Sequence, residues 1–183
     1  MTVLKTGQHI LQEIHTGFSQ LPESGVDNLI SQIRKARRVF CVGAGRSRIM
    51  LSAFCMRLNH LGIEAYVAGN IPCPPASAGD LVIAASGSGT TPSVVAILKR
   101  AKEAGAAVVM FTAAATPELR DTADTIIEIQ APNGLINKNS PESTQLMRTL
   151  FEQIVFIAEE SIIAILSKGI PVEEIAKRHT NLE

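Results

Sequence analysis

The sequence contains no tryptophan and one tyrosine, and aromatic residues make up 4% of its 183 positions. A core with so few rings must be built from Ala, Val, Ile and Leu, which supply most of the 46% hydrophobic fraction. That mix suits an α/β protein with a buried parallel sheet. An excess of one charge is also missing, since 17 Lys and Arg balance 17 Asp and Glu. Nothing basic is in surplus to favour nucleic acid or an acidic membrane surface. No apolar run approaches the ~18 residues of a membrane span. The opening "MTVLKTGQHILQEIHTGF" alternates at helical spacing and lacks a signal-peptide core. Cys41, Cys55 and Cys73 show neither metal-like nor redox-like pairing. An odd count at irregular spacing points to reduced thiols in a cytoplasmic protein. No repeat of solenoid period is present.

What is there alternates. The length suits one compact domain. Residues 4–19 predict a helix with Leu4, Leu11, Ile14 and Phe18 on one side, and a second helix follows Pro22 and Ser24. Strands are expected at "RVFCVG", "EAYVA", "LVIAAS", "AAVVMF" and "TIIEI". Helices are expected at 47–61, at 92–104, in the short "TPELRDTA", at 143–167 and at 171–179. "GNIPCPPASAGD" and "QAPNGLINKNSPES" read as loops. Strands alternating with helices predict a parallel sheet with helices on both faces. The N-terminal helical pair, 1–37, has no strand before it and is expected to cover an edge or meet another subunit. The sheet core then spans 38–130, and the C-terminal helices 143–183, in a single domain over 1–183.

Two loops fall where open α/β sheets bind ligands, at the carboxyl ends of strands. "GAGRS" follows the first strand and "SGSGTT" the third. Thr91 suits an N-cap and Pro92 the first helical position. The backbone N–H groups near 89–93 would then point out of a helix N-terminus, where an anion is favoured. Gly87 and Gly89 allow close backbone approach, and Ser86, Ser88, Thr90 and Thr91 add hydroxyls. No lysine sits in the loop, so it is not a triphosphate loop of the Gly-Lys-Ser type. It suits a single phosphate held by neutral donors. For one such loop, a capped turn with incidental serines is the competing reading. Two loops after nonadjacent strands favour the cradle. A dinucleotide site is disfavoured, because Arg48 stands for the third glycine and Asn70 where a ribose-binding acid is needed.

The stretches "VGAGRS", "MRLNHLG", "GDLVIAASGSGTT", "TLFE" and "RHTNLE" resemble, in order through almost the whole chain, the 6-phospho-3-hexuloisomerases. These belong to the sugar isomerase (SIS) superfamily. The resemblance implies an α/β fold, a three-layer αβα sandwich with a five-stranded parallel sheet and flavodoxin-like winding. It implies a homotetramer that interconverts a 3-hexulose 6-phosphate and fructose 6-phosphate without cofactor or metal. By position, Ser47, Ser86, Ser88 and Thr91 would hold the phosphate, Gly45 and Arg46 would shape the first loop, and Glu152 would be the base. The chain departs from the family pattern at Arg48, Asn70, Thr90, Leu146 and Arg148, all expected around the pocket.

Moving a carbonyl between neighbouring carbons requires one carbon-bound proton to leave and another to return, through an enediolate. One carboxylate against the carbon skeleton can do both. A second group must move a proton between the oxygens, and histidine is the usual choice. On the last long helix, Met147, Leu150, Phe151, Ile154, Val155, Ala158, Ile162 and Ile165 form the expected sheet-facing stripe. Glu152 lies about 120° from its centre at ~3.6 residues per turn, beside Phe156 and Ile163. A subunit-boundary site is one reading, and an exposed glutamate paired with Arg148 at i−4 is the other. His60, at a helix C-terminus where His⁺ meets the dipole, and His179, which could reach a neighbouring pocket, are the candidate proton carriers. His9 and His15 are expected at the surface. The competing functions are another phosphosugar aldose–ketose isomerase and a non-catalytic phosphosugar sensor. A sensor of that kind usually carries a DNA-binding segment, and the non-basic stretch before the first strand does not suit one.

Overall fold

The computed structural model describes residues 2–131 and 143–182. Most of the expected loop at 130–143 therefore lies outside the described residues. Two helices, α1 (Val3–Phe18) and α2 (Glu23–Lys35), precede β1 (Val39–Gly43), α3 (Gly45–His60) and β2 (Ala65–Val67). β3 (Leu81–Ala85), α4 (Pro92–Glu103), β4 (Ala107–Thr112), α5 (Pro117–Thr122) and β5 (Thr125–Glu128) follow. The chain continues through α6 (Thr149–Leu166) and α7 (Val172–Ala176).

The five strands are parallel in the order β2-β1-β3-β4-β5. This is the flavodoxin-like winding, and its order reverses between β1 and β3. Val39 lies opposite Ala65 on one side and Leu81 on the other. β3 is buried along its whole length, as a central strand covered on both faces must be. The period of two sorts the side chains into layers. Cys41, Ile83, Val109 and Phe111 face Leu29, Phe54 and Ile154 of α2, α3 and α6. Phe40, Val82, Val108 and Met110 face Val94, Leu98 and Leu119 of α4 and α5. The αβα sandwich is thus filled by aliphatic residues, as the composition requires.

At the end of the sheet remote from the loops, Asp80 is buried between two guanidinium groups. Arg37 donates from Nε and Nη2 at 3.0 Å each, and Arg38 from Nη2 at 2.9 Å. The Ser77 N–H adds a bond of 2.9 Å. Burial alone would raise the Asp80 pKa, but the arginine and amide hydrogen bonds prevail and hold it below the usual carboxylate range.

Three expectations about the elements are corrected. The last long helix starts at Thr149, not Ser143, because Met147 sits in the left-handed region (φ 55°) and Ser143–Gln145 bond to Glu13 instead of to the next helical turn. Its stripe is also shorter, with Met147 before the helix start 72% exposed and Ile165 near the other end 38% exposed. On α1, Ile14 and Phe18 reach the core, whereas Leu4 and Leu11 stay exposed. The final helix stops at Ala176, where the chain passes into tight turns closed by Arg178 N–H on Ile175 and His179 N–H on Ala176.

Candidate functional site

The β1–α3 and β3–α4 loops flank the reversal in strand order. In the first, helix α3 begins directly over the strand end. A Cβ on Gly43 would lie 2.8 Å from the Arg48 backbone N, a space only glycine leaves free. Ala44 occupies the N-cap of α3 and offers no side-chain bond.

In the second loop, the buried Ser86 hydroxyl lies 2.7 Å from that of Thr91 and 3.4 Å from that of Ser88. Thr91 occupies the N-cap of α4, ahead of Pro92, but makes no side-chain cap. Its hydroxyl is turned to Ser86. The first turn of α4 is therefore left without a side-chain acceptor, and its positive dipole end meets three hydroxyls. Gly89 holds φ +67°, and a Cβ there would come within 2.4 Å of the Ala114 carbonyl oxygen.

Helix α6 brings the third component. Its N-cap, Arg148, likewise makes no side-chain cap. The Arg148 stem lies over Gly87, where an added Cβ would be 2.6 Å from Arg148 Cδ. Glu152, in the first turn of α6 and 12% exposed, forms an ion pair with Arg46 Nε. The N-termini of α3, α4 and α6 thus converge on a cavity of about 380 Å³. The Ser86, Ser88 and Thr91 hydroxyls, the Glu152 carboxylate and the Arg46 and Arg148 side chains line it together. That arrangement can hold an anion and present a carboxylate to whatever the anion carries. Among the described residues, no group of three or more His, Cys, Asp or Glu is gathered to hold a metal ion.

A family model of the SIS domain matches residues 32–156, the span from the end of α2 to the middle of α6. The chain belongs to the SIS domain family. The 3-hexulose-6-phosphate isomerase of Mycobacterium gastri is 41% identical over 95% of this chain and 88% of its own length. The enzyme of that name from Bacillus subtilis is 34% identical over 95% of both chains. A solved structure from Methanococcus jannaschii, for which a function of 3-hexulose-6-phosphate isomerase was inferred, superposes with a TM-score of 0.83. It is 30% identical and covers 98% of this chain and 99% of its own.

Within this SIS domain the candidate residues divide. Arg46, Ser47, Ser86, Gly87, Ser88, Thr91 and Glu152 line the cavity. Gly45, Gly89 and Thr90 do not line it. Thr90 is exposed, and its N–H is donated to Ser88 Oγ at 3.3 Å. Gly45 and Gly89, both at positive φ, serve the loop backbones. Glu152 pairs with Arg46 of α3. His60 and His179 are not at this cavity either. They stack on each other, with centroids 5.2 Å apart, at the far end of α3, roughly 22 Å of helix from Gly45. The expected dipole-stabilised His60 cation is corrected as well. Burial lowers the pKa of His60, and the charges of Arg57 and His179 lower it further.

Of the five departures from the family pattern expected around the pocket, Leu146 and Arg148 line the cavity, whereas Arg48, Asn70 and Thr90 do not. Met147, expected in the sheet-facing stripe, lines the cavity as well. The loop was expected to offer neutral donors only, yet two guanidinium groups complete the cavity from α3 and α6. Arg48 Nη2 donates to Asn70 Oδ1 at 2.6 Å, so two departures from the family pattern are partners.

Proposed function

We propose that this single-domain protein interconverts 3-hexulose 6-phosphate and fructose 6-phosphate. The relatives that carry that activity in their names support the substrate. The observation that carries the mechanism is that Glu152 lines the same cavity as the Ser86, Ser88 and Thr91 hydroxyls. The phosphate binds at the α4 N-terminus, with Ser47 closing the cradle from α3. Gly87 leaves room for the Arg148 stem over the loop, Gly89 at positive φ shapes the loop backbone, and the Thr90 amide fixes Ser88. The sugar then extends toward α6. Glu152 removes the C3 proton of fructose 6-phosphate and returns a proton to C2, through an enediolate shared by O2 and O3. One carbon is oxidised as its neighbour is reduced, so proton transfers balance the reaction without a cofactor. Arg46 and Arg148 offset the charge that develops on the oxygens.

The transfer between O2 and O3 needs a further group. His179, exposed beside the buried His60, serves it from a neighbouring copy, in a cytoplasmic homotetramer. No described helix is long and apolar enough to cross a membrane. The test is turnover of purified protein on a panel of hexulose and pentose phosphates. Conversion of 3-hexulose 6-phosphate to fructose 6-phosphate is the expected result. Tight binding of phosphosugars with turnover of none would replace this reading with a sensor.

A further inference from the structure

Glu13 lies on α1, outside the cavity and outside every motif that marks the family. Its side chain is nevertheless only 11% exposed. Oε1 accepts from the Thr144 N–H at 2.9 Å and the Thr144 hydroxyl at 3.0 Å. Oε2 accepts from the Ser143 hydroxyl at 2.7 Å and from Gln145 Nε2 at 3.0 Å. His9 Nε2 stands 3.2 Å from Oε1, one turn earlier on α1. Burial by itself would raise the Glu13 pKa. The bonds from Thr144, Ser143 and Gln145 outweigh it and bring the pKa down to about 2. The carboxylate is thus ionised throughout the neutral range and holds the segment firmly.

The segment it holds leads straight to the site. Two residues separate Gln145 from Arg148. Met147 takes a left-handed turn, and the Thr149 hydroxyl donates to the Leu146 carbonyl at 2.7 Å. Leu146, Met147, Arg148 and Thr149 all line the cavity, and Glu152 follows within the first turn of α6. Helix α1 is itself seated on α6. Gly17, one turn after Glu13 on the same face, sits where an added Cβ would meet Ile154 Cδ1 at 2.4 Å.

We propose that Glu13 is a positioning residue for the isomerase site. By fixing residues 143–145 to α1, it sets the entry angle of α6 and so the placement of Arg148 and Glu152. This rests on the reading of Glu152 as the base. A displacement of about 1 Å in a reacting group can lower a rate about 100-fold, so loss of the clamp acts on kcat. The phosphate cradle belongs to β3 and α4, and its binding is left largely intact.

The test compares the full-length parent with Glu13→Ala, Glu13→Gln and Thr144→Val. The Gln variant keeps an acceptor for the Thr144 amide, while Ser143 and the Gln145 amide can reverse their bonds to it. The Thr144→Val variant removes one hydroxyl bond from the other side and leaves α1 untouched. Glu13→Ala is expected to lower kcat for 3-hexulose 6-phosphate by about 10- to 100-fold. Inorganic phosphate affinity should stay within about threefold, because the cradle is a separate site. Glu13→Gln should recover part of kcat, and Thr144→Val should lose less than Glu13→Ala. Hydrogen exchange of amides 143–148 should accelerate in the same order. Parent-like kcat and exchange in Glu13→Ala would overturn the proposal. So would a kcat loss that Glu13→Gln does not relieve at all. If the parent turns over no phosphosugar, the functional reading fails separately. Accelerated exchange at 143–148 in Glu13→Ala would still uphold the clamp, and unchanged exchange would remove it.

Discussion

Among the described residues, three carboxylates have clearly shifted pKa values, and they act in opposite directions. Glu13 and Asp80 have lowered pKa values, so each adds stability above the ordinary carboxylate range that is lost as pH falls. For Glu13 the loss runs from about 4.5 down to about 2. Glu159 is the reverse case. It is fully buried on α6, neither oxygen has a hydrogen-bond partner among the described residues, and burial first, then the charge of Glu160, raises its pKa well above 4.5. Below 4.5 the folded and unfolded chains both hold this proton. Above it the unfolded chain releases the proton and the folded chain keeps it, so stability falls with rising pH. Glu159→Met retains the shape and removes the titration. It should stabilise the protein at pH 8 by ~1–3 kcal/mol in urea denaturation, the cost of an unpartnered buried polar group. It should also flatten the slope between pH 5 and 8. An unchanged slope would show that Glu159 is not held neutral. Helical spacing does mark this residue, because Glu159 stands four residues after Val155 and three before Ile162 and so interrupts the apolar stripe with a charge.

At the scale of elements, the cradle depends on a helix that is left uncapped. Thr91 and Pro92 announce the start of α4, and their positions were legible in the sequence. The direction of the Thr91 hydroxyl was not, because it is set by Ser86 at the end of β3. Ser86→Ala with Ser88→Ala removes two hydroxyls from the anion's path and leaves the helix start in place. The pair should weaken binding of fructose 6-phosphate by ~1.5–3 kcal/mol per charge-assisted bond lost, as read by calorimetry. Unchanged affinity would place the phosphate elsewhere. The strands were legible for a related reason, since a doubly covered parallel strand is an apolar run with glycine or polar ends, as in "LVIAAS". The start of α6 was not legible. Met147, Leu150 and Phe151 continue the helical spacing through the segment, and what breaks the helix is Glu13, 130 positions before Ser143. Local periodicity holds no trace of so distant a bond.

The whole molecule has apolar surface that one chain does not cover. Leu4 and Leu11 on α1 are 72% and 66% exposed, and Ile49 and Met56 on α3 are 61% and 48% exposed. Each pair is spaced at i and i+7, so each makes a stripe along one helix face. The His60–His179 pair lies at the far end of α3, remote from the cavity that holds Glu152. We expect a homotetramer, with a mass by light scattering four times the chain's 19.5 kDa at micromolar concentration. A monomeric mass would contradict it. The site itself is a product of the whole fold, because residues 46–47, 86–91 and 146–152 meet only when the sheet and α6 are both in place. The central claim is that Glu152 moves the proton there. The direct measurement is the NMR signal of the C3 hydrogen of fructose 6-phosphate in deuterium oxide, with the parent protein and with Glu152→Gln. The parent should replace that hydrogen with deuterium as 3-hexulose 6-phosphate forms. Glu152→Gln should bind the sugar phosphate yet slow the exchange by ~10²–10⁴-fold, the loss typical of a missing general base. Exchange at the parent rate in Glu152→Gln would show that another group is the base.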